Sequence, residues 1–350
     1  MSSNTRNIVF AAPTWLGDAV MSLPLLGFLG AAGGVRVTVV TRSYAARVYW
    51  GLEEVAEIIV APEGGRARRV FGLRGDLRRI GADGAVILAP SFSGALVFFA
   101  AGIPVRVGFR SEGRGPLLTH SLPTRGLRDE HLYQNYMRLG RLLLNTLGVA
   151  APDGFETPAV KVFDNERGRL SGRLDNAGVG RGGYVVVVPG ATFGPTKTWP
   201  TDKYRRLVDM ITTEIPVFLA GSEAERDVCG AICEGIPRAH NLAGRTGLGE
   251  LFALLEGARL VVANDSGAPH VAASLGVPVV VIFGSTSPTW TAPLRAGGAV
   301  EVVRSPVKCA PCFLKTCPTQ LECYRGISPE MVLRGIQNAL KKTVEKSNPG

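Results

Sequence analysis

The chain has 350 residues, enough for two ordinary domains that each bury a core. Hydrophobic residues make up 46% and charged residues 19%, which excludes a disordered chain; no apolar window reaches the roughly 18 residues of a membrane-spanning helix. The formal charge of +10 is uneven, because residues 1–150 hold 17 arginines, no lysine and 10 acids, so that half faces either an anionic partner (a phosphorylated lipid surface or nucleic acid) or plain solvent.

Along the chain, short apolar runs alternate with helical stretches, the pattern of α/β units around parallel sheets. The first run, near Asn7–Ala12, has Arg6 as the one basic residue before it and is interrupted by Pro13 and Asp18. That is not the pattern of a secretory signal, and a soluble cytoplasmic protein is expected. The run leads into Trp15-Leu-Gly-Asp18 and a helix carrying Val20, Leu23 and Leu26. Gly17 permits a close turn, and Asp18 is either a helix cap or a carboxylate available for chemistry. Further strands are expected near Val35–Val40, Ala56–Val60, Ala85–Ala89 and Val105–Gly108. Basic clusters lie at Arg66, Arg68, Arg69, Arg74, Arg78 and Arg79, then at Arg106, Arg110, Arg114, Arg125 and Arg128. Residues 151–183 turn polar and glycine-rich and read as a linker.

A second strand series follows at Tyr184–Val188, Val217–Ala220, Leu260–Ala263, Val279–Phe283 and Val300–Val303, so the chain reads as two doubly wound halves. In such sheets ligands bind beyond the carboxyl ends of strands. After Val188 comes a loop with Gly190, Gly194, Thr192, Thr196, Lys197 and Thr198, the kinds of donor that phosphate oxygens need, though without the Gly-Lys-Ser/Thr ending of a Walker loop. Beyond Ala220, Glu223 and Glu225 are placed either for ribose hydroxyls or as first-turn acids. At the next junction Asp265, Ser266 and Gly267 form an anion site or simply a capped helix start, with His270 one turn further on. Residues 329–346 read as a helix with Met331, Ile336 and Leu340 along one side.

Four of the six cysteines, Cys309, Cys312, Cys317 and Cys323, share one segment with two, four and five residues between them. Persistent disulfides are not expected in a reducing compartment. Structural zinc, reduced thiols and redox-dependent bridging stay open, while Cys229 and Cys233 read as packing residues. A zinc-bearing nucleic-acid-binding protein is the remote alternative, but the chain lacks the interleaved aromatic and basic residues expected of a single-strand binder.

Together Trp15-Leu-Gly-Asp18, Pro189-Gly-Ala-Thr-Phe-Gly-Pro-Thr-Lys-Thr-Trp-Pro200, Asn264-Asp-Ser-Gly-x-x-His270 and Gly284-Ser-Thr-Ser-Pro288 resemble, in order and over nearly the whole chain, the ADP-heptose:lipopolysaccharide heptosyltransferases of glycosyltransferase family 9. The Pro189–Pro200 and cysteine-rich segments are most similar to the branch that adds the second inner-core heptose. The resemblance implies the α/β GT-B architecture, two Rossmann-like doubly wound domains facing a cleft. Residues 1–175 would bind the acceptor and 180–328 the ADP-sugar, with a helix in 329–350 packing back on the first domain. It implies inverting transfer of heptose from ADP-L-glycero-D-manno-heptose to heptosyl-Kdo2-lipid A, an anionic glycolipid, by an enzyme held peripherally at the cytoplasmic face of the inner membrane. Nucleic acid is not an implied partner. A first-heptose enzyme or a GT-B enzyme using another sugar nucleotide are the alternatives.

In the implied reaction Asp18 is the base and Lys197 neutralises the diphosphate without a required metal. Thr192, Thr196, Ser266 and Gly267 assist, and Glu223 contacts the ribose. Asp265 contacts the sugar or organises its helix, and His270 supports the phosphate or heptose. Where the family usually has a bulkier residue, this chain has Ala268-Pro269, which is expected to shift the helix start and His270 with it.

Overall fold

Runs such as Val185–Val188 and Val279–Phe283 are buried at every position, as strands covered by helices on both faces must be. They belong to a computed structural model that describes residues 5–175, 177–191 and 194–347 and divides into two units, Met1–Lys161 and Val162–Gly350. The first unit contains β1 (Arg6–Ala11), β2 (Val35–Thr41), β3 (Val55–Val60), β4 (Gly84–Ile87), β5 (Val105–Phe109) and β6 (His120–Leu122), in the order β3-β2-β1-β4-β5-β6. The second contains β7 (Val185–Val188), β8 (Val217–Leu219), β9 (Ala239–Asn241), β10 (Leu260–Asn264), β11 (Val279–Phe283) and β12 (Val300–Arg304), in the order β12-β11-β10-β7-β8-β9. Neighbouring strands in both sheets run parallel.

Each sheet therefore has the doubly wound Rossmann order, and in each the winding reverses between the first and fourth strands. Those switch points lie between β1 and β4 and between β7 and β10. The carboxyl ends of strands at such switch points are where this topology binds ligands, and the segments that follow β1, β7 and β10 are the ones carrying Asp18, Lys197 and Asp265.

The ten strands expected from apolar runs all form; β6 and β9 do not announce themselves, being three-residue, partly exposed edge strands that each include a histidine. The polar stretch read as a linker contains a helix, Asp164–Asp175. It packs on the helix Leu248–Glu256, so the division between units falls at Lys161/Val162, ahead of it. Arg167 donates to both oxygens of Glu256 at 2.8 and 2.7 Å, Arg181 adds a contact at 2.7 Å, and buried Glu166 accepts from the Phe163 amide. The tail helix Pro329–Ser347 buries Val332, Ile336 and Ala339 in the core of the second unit. Its packing partners include β11, β12 and the helix Thr201–Thr212.

Two members of the basic clusters donate to backbone carbonyls of their own unit. Arg114 is fully buried and donates to the carbonyls of Phe109 (2.8 Å) and Ala89, and burial pushes its guanidinium down to about 10. Arg106 likewise donates to Leu117 and Ile103 carbonyls. The helix Arg66–Ile80 behaves differently: it buries Leu73 and Leu77 and turns Arg68, Arg78 and Phe71 outward, the phenylalanine being 72% exposed. Among the described residues no helix is long and apolar enough to cross a membrane.

The Arg167 and Arg181 contacts hold the Glu256 carboxyl below the usual carboxylate range. A depressed carboxyl stabilises the fold above its unfolded value, and that contribution is lost as pH falls through the folded value. Thermal melts taken from about pH 6 down to about pH 3 should therefore lose stability, and Glu256→Gln should lower the pH 6 melting temperature while flattening the acid limb. An unchanged acid limb in the variant would show that this ion pair does not set it.

Candidate active site

The loop from Pro189 to Thr198 leaves β7 beside the end of β10, and two consecutive residues of β10 and its exit hold it. Asn264 is fully buried. Its Nδ2 donates to the Pro189 carbonyl at 2.5 Å and its Oδ1 accepts from the Trp199 amide at 3.2 Å, so one side chain fastens both ends of the loop. Trp199 is itself fully buried, donates from Nε1 to the Ile327 carbonyl at 3.2 Å and meets Tyr204 edge-on.

Asp265, 3% exposed, takes the loop's lysine. Its Oδ2 accepts from Lys197 Nζ and from the Thr286 hydroxyl, both at 2.7 Å; Lys197 also reaches the Asp265 carbonyl at 3.3 Å, and the Thr291 hydroxyl lies 3.5 Å from Oδ1. A buried carboxylate requires such a set, because losing water without it is very costly. The ammonium is thus fixed next to the start of the helix Gly267–Ser274. Ser266 is the N-cap, yet its side chain makes no capping bond, and its buried Oγ has no hydrogen-bond partner among the described residues. The helix begins at Gly267, directly after Ser266. Pro269 lies in the first turn, where its missing N–H removes no intrahelical bond, so the Ala268-Pro269 pair is accommodated. His270, one turn in, is buried.

Other candidates are placed differently. The Thr196 hydroxyl is buried and donates to the Leu314 carbonyl at 2.6 Å, bracing the loop against the cysteine-bearing segment. Thr192 lies outside the described residues. Of the two glutamates, Glu225 is the helix-start acid: its Oε2 accepts from the amide and hydroxyl of Ser222 at 2.6 and 2.9 Å, and the carboxylate packs where a Cβ on Gly190 would sit. Glu223 is exposed beyond the second strand of its sheet, 2.8 Å from Arg226. The cysteines are all free. Cys317 is half-buried, and its thiol is lowered by hydrogen bonds from the Thr319 hydroxyl and nearby backbone amides, while burial raises Cys323. Among the described residues no group of His, Cys, Asp or Glu is arranged to hold a metal.

In the first unit, Asp18 is half-buried in the first turn of the helix Leu16–Met21 at the carboxyl end of β1. Trp15 is the N-cap residue, so Asp18 is not the cap. Burial first, and the Asp18 charge after it, raise the phenol of Tyr136; burial also raises Tyr49, where a hydrogen bond with Ser22 opposes the shift and the Asp18 charge adds a smaller rise.

The profile of glycosyltransferase family 9 (heptosyltransferase) matches residues 70–322. The chain belongs to glycosyltransferase family 9. This family 9 chain is 31% identical over 306 residues to lipopolysaccharide heptosyltransferase 2 of Escherichia coli K12, covering 82% of this chain and 85% of that protein. It is 30% identical over 310 residues to lipooligosaccharide heptosyltransferase 2 of Haemophilus influenzae, covering 82% and 86%. The solved structure of E. coli ADP-heptose LPS heptosyltransferase II matches with a TM-score of 0.78 at 27% identity, over 96% of this chain and 99% of that one. The two doubly wound units are those of the GT-B fold.

Asn264 and Thr286 stand inside the matching motifs without an assigned role, and Thr291 lies outside them; the hydrogen bonds of Asn264 make it the residue that sets the loop. Asn264→Asp keeps the shape but removes the donor to Pro189 and puts a second carboxylate beside Asp265. The expected result is a fall of about tenfold or more in glycosyl-transfer kcat/KM for the sugar-nucleotide donor, with acceptor KM unchanged. Equal effects on both substrates, or none, would demote Asn264 to general packing.

Proposed function

We propose that this family 9 glycosyltransferase moves heptose from ADP-heptose to the lipopolysaccharide inner core, adding the second heptose to heptosyl-Kdo2-lipid A with inversion. One observation carries the site assignment: Lys197, gripped by Asp265, stands beside a helix start whose N-cap side chain makes no capping bond, at the switch point of the second sheet. Helix-start amides and an ammonium are the donors that offset the charge developing on a departing diphosphate.

In this reading the acceptor hydroxyl attacks the anomeric carbon, the bond from that carbon to the diphosphate oxygen breaks, and ADP leaves. Asp18 takes the hydroxyl proton. Lys197, the Gly267 amide and the Ser266 hydroxyl receive the diphosphate, with Thr192 assigned to the same group. Asp265 aims the ammonium, and His270 supports the helix start from within. Glu223 takes the ribose, because the carboxyl end of the second strand is where a carboxylate meets ribose hydroxyls in this topology. The membrane-facing element is the helix Arg66–Ile80, whose outward side sets exposed Phe71 between Arg68 and Arg78. That pairing suits an anionic lipid surface, with basic residues attracted to headgroups and a ring entering the interface.

Purified protein incubated with ADP-heptose and defined core acceptors, followed by product mass, tests the reaction. Asp18→Asn should lower kcat roughly 10²–10⁴-fold while ADP-heptose binding persists, whereas Lys197→Ala should weaken both. Near-normal turnover in a folded Asp18→Asn protein would remove Asp18 as the base. For the membrane contact, the triple change Arg68→Glu, Phe71→Ser, Arg78→Glu should abolish cosedimentation with vesicles rich in anionic phospholipid, and added salt should weaken the wild-type interaction. Undiminished cosedimentation of the triple variant would end that assignment.

A further inference from the structure

The second unit contains another polar recess that the proposed transfer chemistry leaves unused. The loops leaving β11 and β12 enclose a cavity of about 430 Å³. Its lining includes Thr286, Ser287 and Ser305 together with the cations Arg304 and Lys308, and no carboxylate. The side chains of Arg304 and Lys308 make no hydrogen bond or ion pair with any described residue, unlike Arg167, Arg181 and Arg226, which pair with glutamates in the same unit. Both residues are exposed, and two cations four residues apart on one wall, neither paired with a described residue, attract an anion; guanidinium and ammonium both bind carboxylate and phosphate well.

Position and size narrow the ligand. The recess lies at the carboxyl ends of two adjacent parallel strands, the edge of the sheet where ligands bind. It adjoins the Lys197 site through one side chain, since Thr286 lines the recess and donates to the same Asp265 oxygen that holds Lys197. The volume lies within the range of pockets that hold small molecules, larger than a lone phosphate requires. Proline and valine faces from Pro288, Pro306, Val307 and Pro311 complete the lining and suit the apolar faces of a sugar ring.

We propose that this recess binds an anionic sugar residue of the acceptor, one bearing a carboxylate or phosphate, with Arg304 and Lys308 pairing with its charge. The proposal rests on the glycosyl-transfer reading above. It makes the recess a determinant of acceptor choice, separating charged from neutral glycans, and leaves donor binding to the Lys197 site.

The test uses the full chain, with steady-state KM measured separately for the anionic glycolipid acceptor and for ADP-heptose. Arg304→Ala with Lys308→Ala should raise acceptor KM about tenfold or more, leaving donor KM and kcat at saturating acceptor unchanged. The charge-conserving pair Arg304→Lys with Lys308→Arg should retain most of the affinity. Inorganic phosphate should compete with the acceptor in the wild type and lose that competition in the double alanine variant. An unchanged acceptor KM, a change confined to donor KM, or phosphate competition that survives the double substitution would each overturn the assignment. Absence of heptose transfer by the wild type would instead defeat the functional reading, so the two failures are distinguishable.

Discussion

At the end of β10, Asn264 and Asp265 sit at the edge of a valine-rich core and are almost inaccessible to water. An amide and a carboxylate in that position each require partners. The partners available are the two ends of the Pro189–Trp199 segment for Asn264, and Lys197, Thr286 and Thr291 for Asp265. The requirement to satisfy two buried polar groups therefore fixes the loop that carries the cation. Removing Lys197 alone leaves a buried carboxylate short of its counter-charge, a change that costs about 3–5 kcal/mol where such pairs have been broken. Stability and ligand geometry at this site are consequently the same interaction. The two threonine hydroxyls also keep acceptor sites on Asp265 occupied, so part of the lysine's attraction can be shared with an arriving anion without stripping the carboxylate bare.

The two sheets repeat one strand order and carry opposite chemistry at their switch points. Beyond β1 the first-turn residue is a carboxylate whose charge is felt by two buried phenols. Beyond β7 and β10 it is an ammonium and a helix start. The transfer proposed above, which takes a proton from one reactant and sheds negative charge with another, would use this polarity, a base for the first and cations for the second. Topology provides two equivalent crevices, and the residues just past the strand ends decide what each does.

What the sequence discloses follows from how local each interaction is. Central strands are legible because burial on both faces makes them continuous apolar runs, while β6 and β9 are too short and too polar to stand out. Lys197 and Asp265 are visible as chemistry-bearing residues past strand ends, although their direct contact spans 68 positions. The latch role of Asn264 depends on partners 75 and 65 positions away, so nothing near it in sequence marks it. Thr196 illustrates the reverse case, a hydroxyl in a phosphate-like loop whose partner is a carbonyl 118 positions on. The helix Asp164–Asp175 reads as linker because much of what fastens it is an ion pair with Glu256.

Charge counting separates these cases least of all. Seventeen arginines before residue 150 give one undivided basic signal, yet they differ in what their guanidinium groups meet. Backbone carbonyls with acceptor capacity to spare draw arginines onto them, as those of Phe109, Ala89, Leu117 and Ile103 do with Arg114 and Arg106. A guanidinium, with five donors and no acceptor, satisfies several such carbonyls at once, which makes it the cation most readily drawn into structure. On a helix, backbone carbonyls are already bonded, so arginines on the outward side of Arg66–Ile80 project into solvent. Whether an arginine braces the fold or meets a partner is thus decided by the hydrogen-bond needs of the backbone around it, and the net charge of a segment is silent on that point.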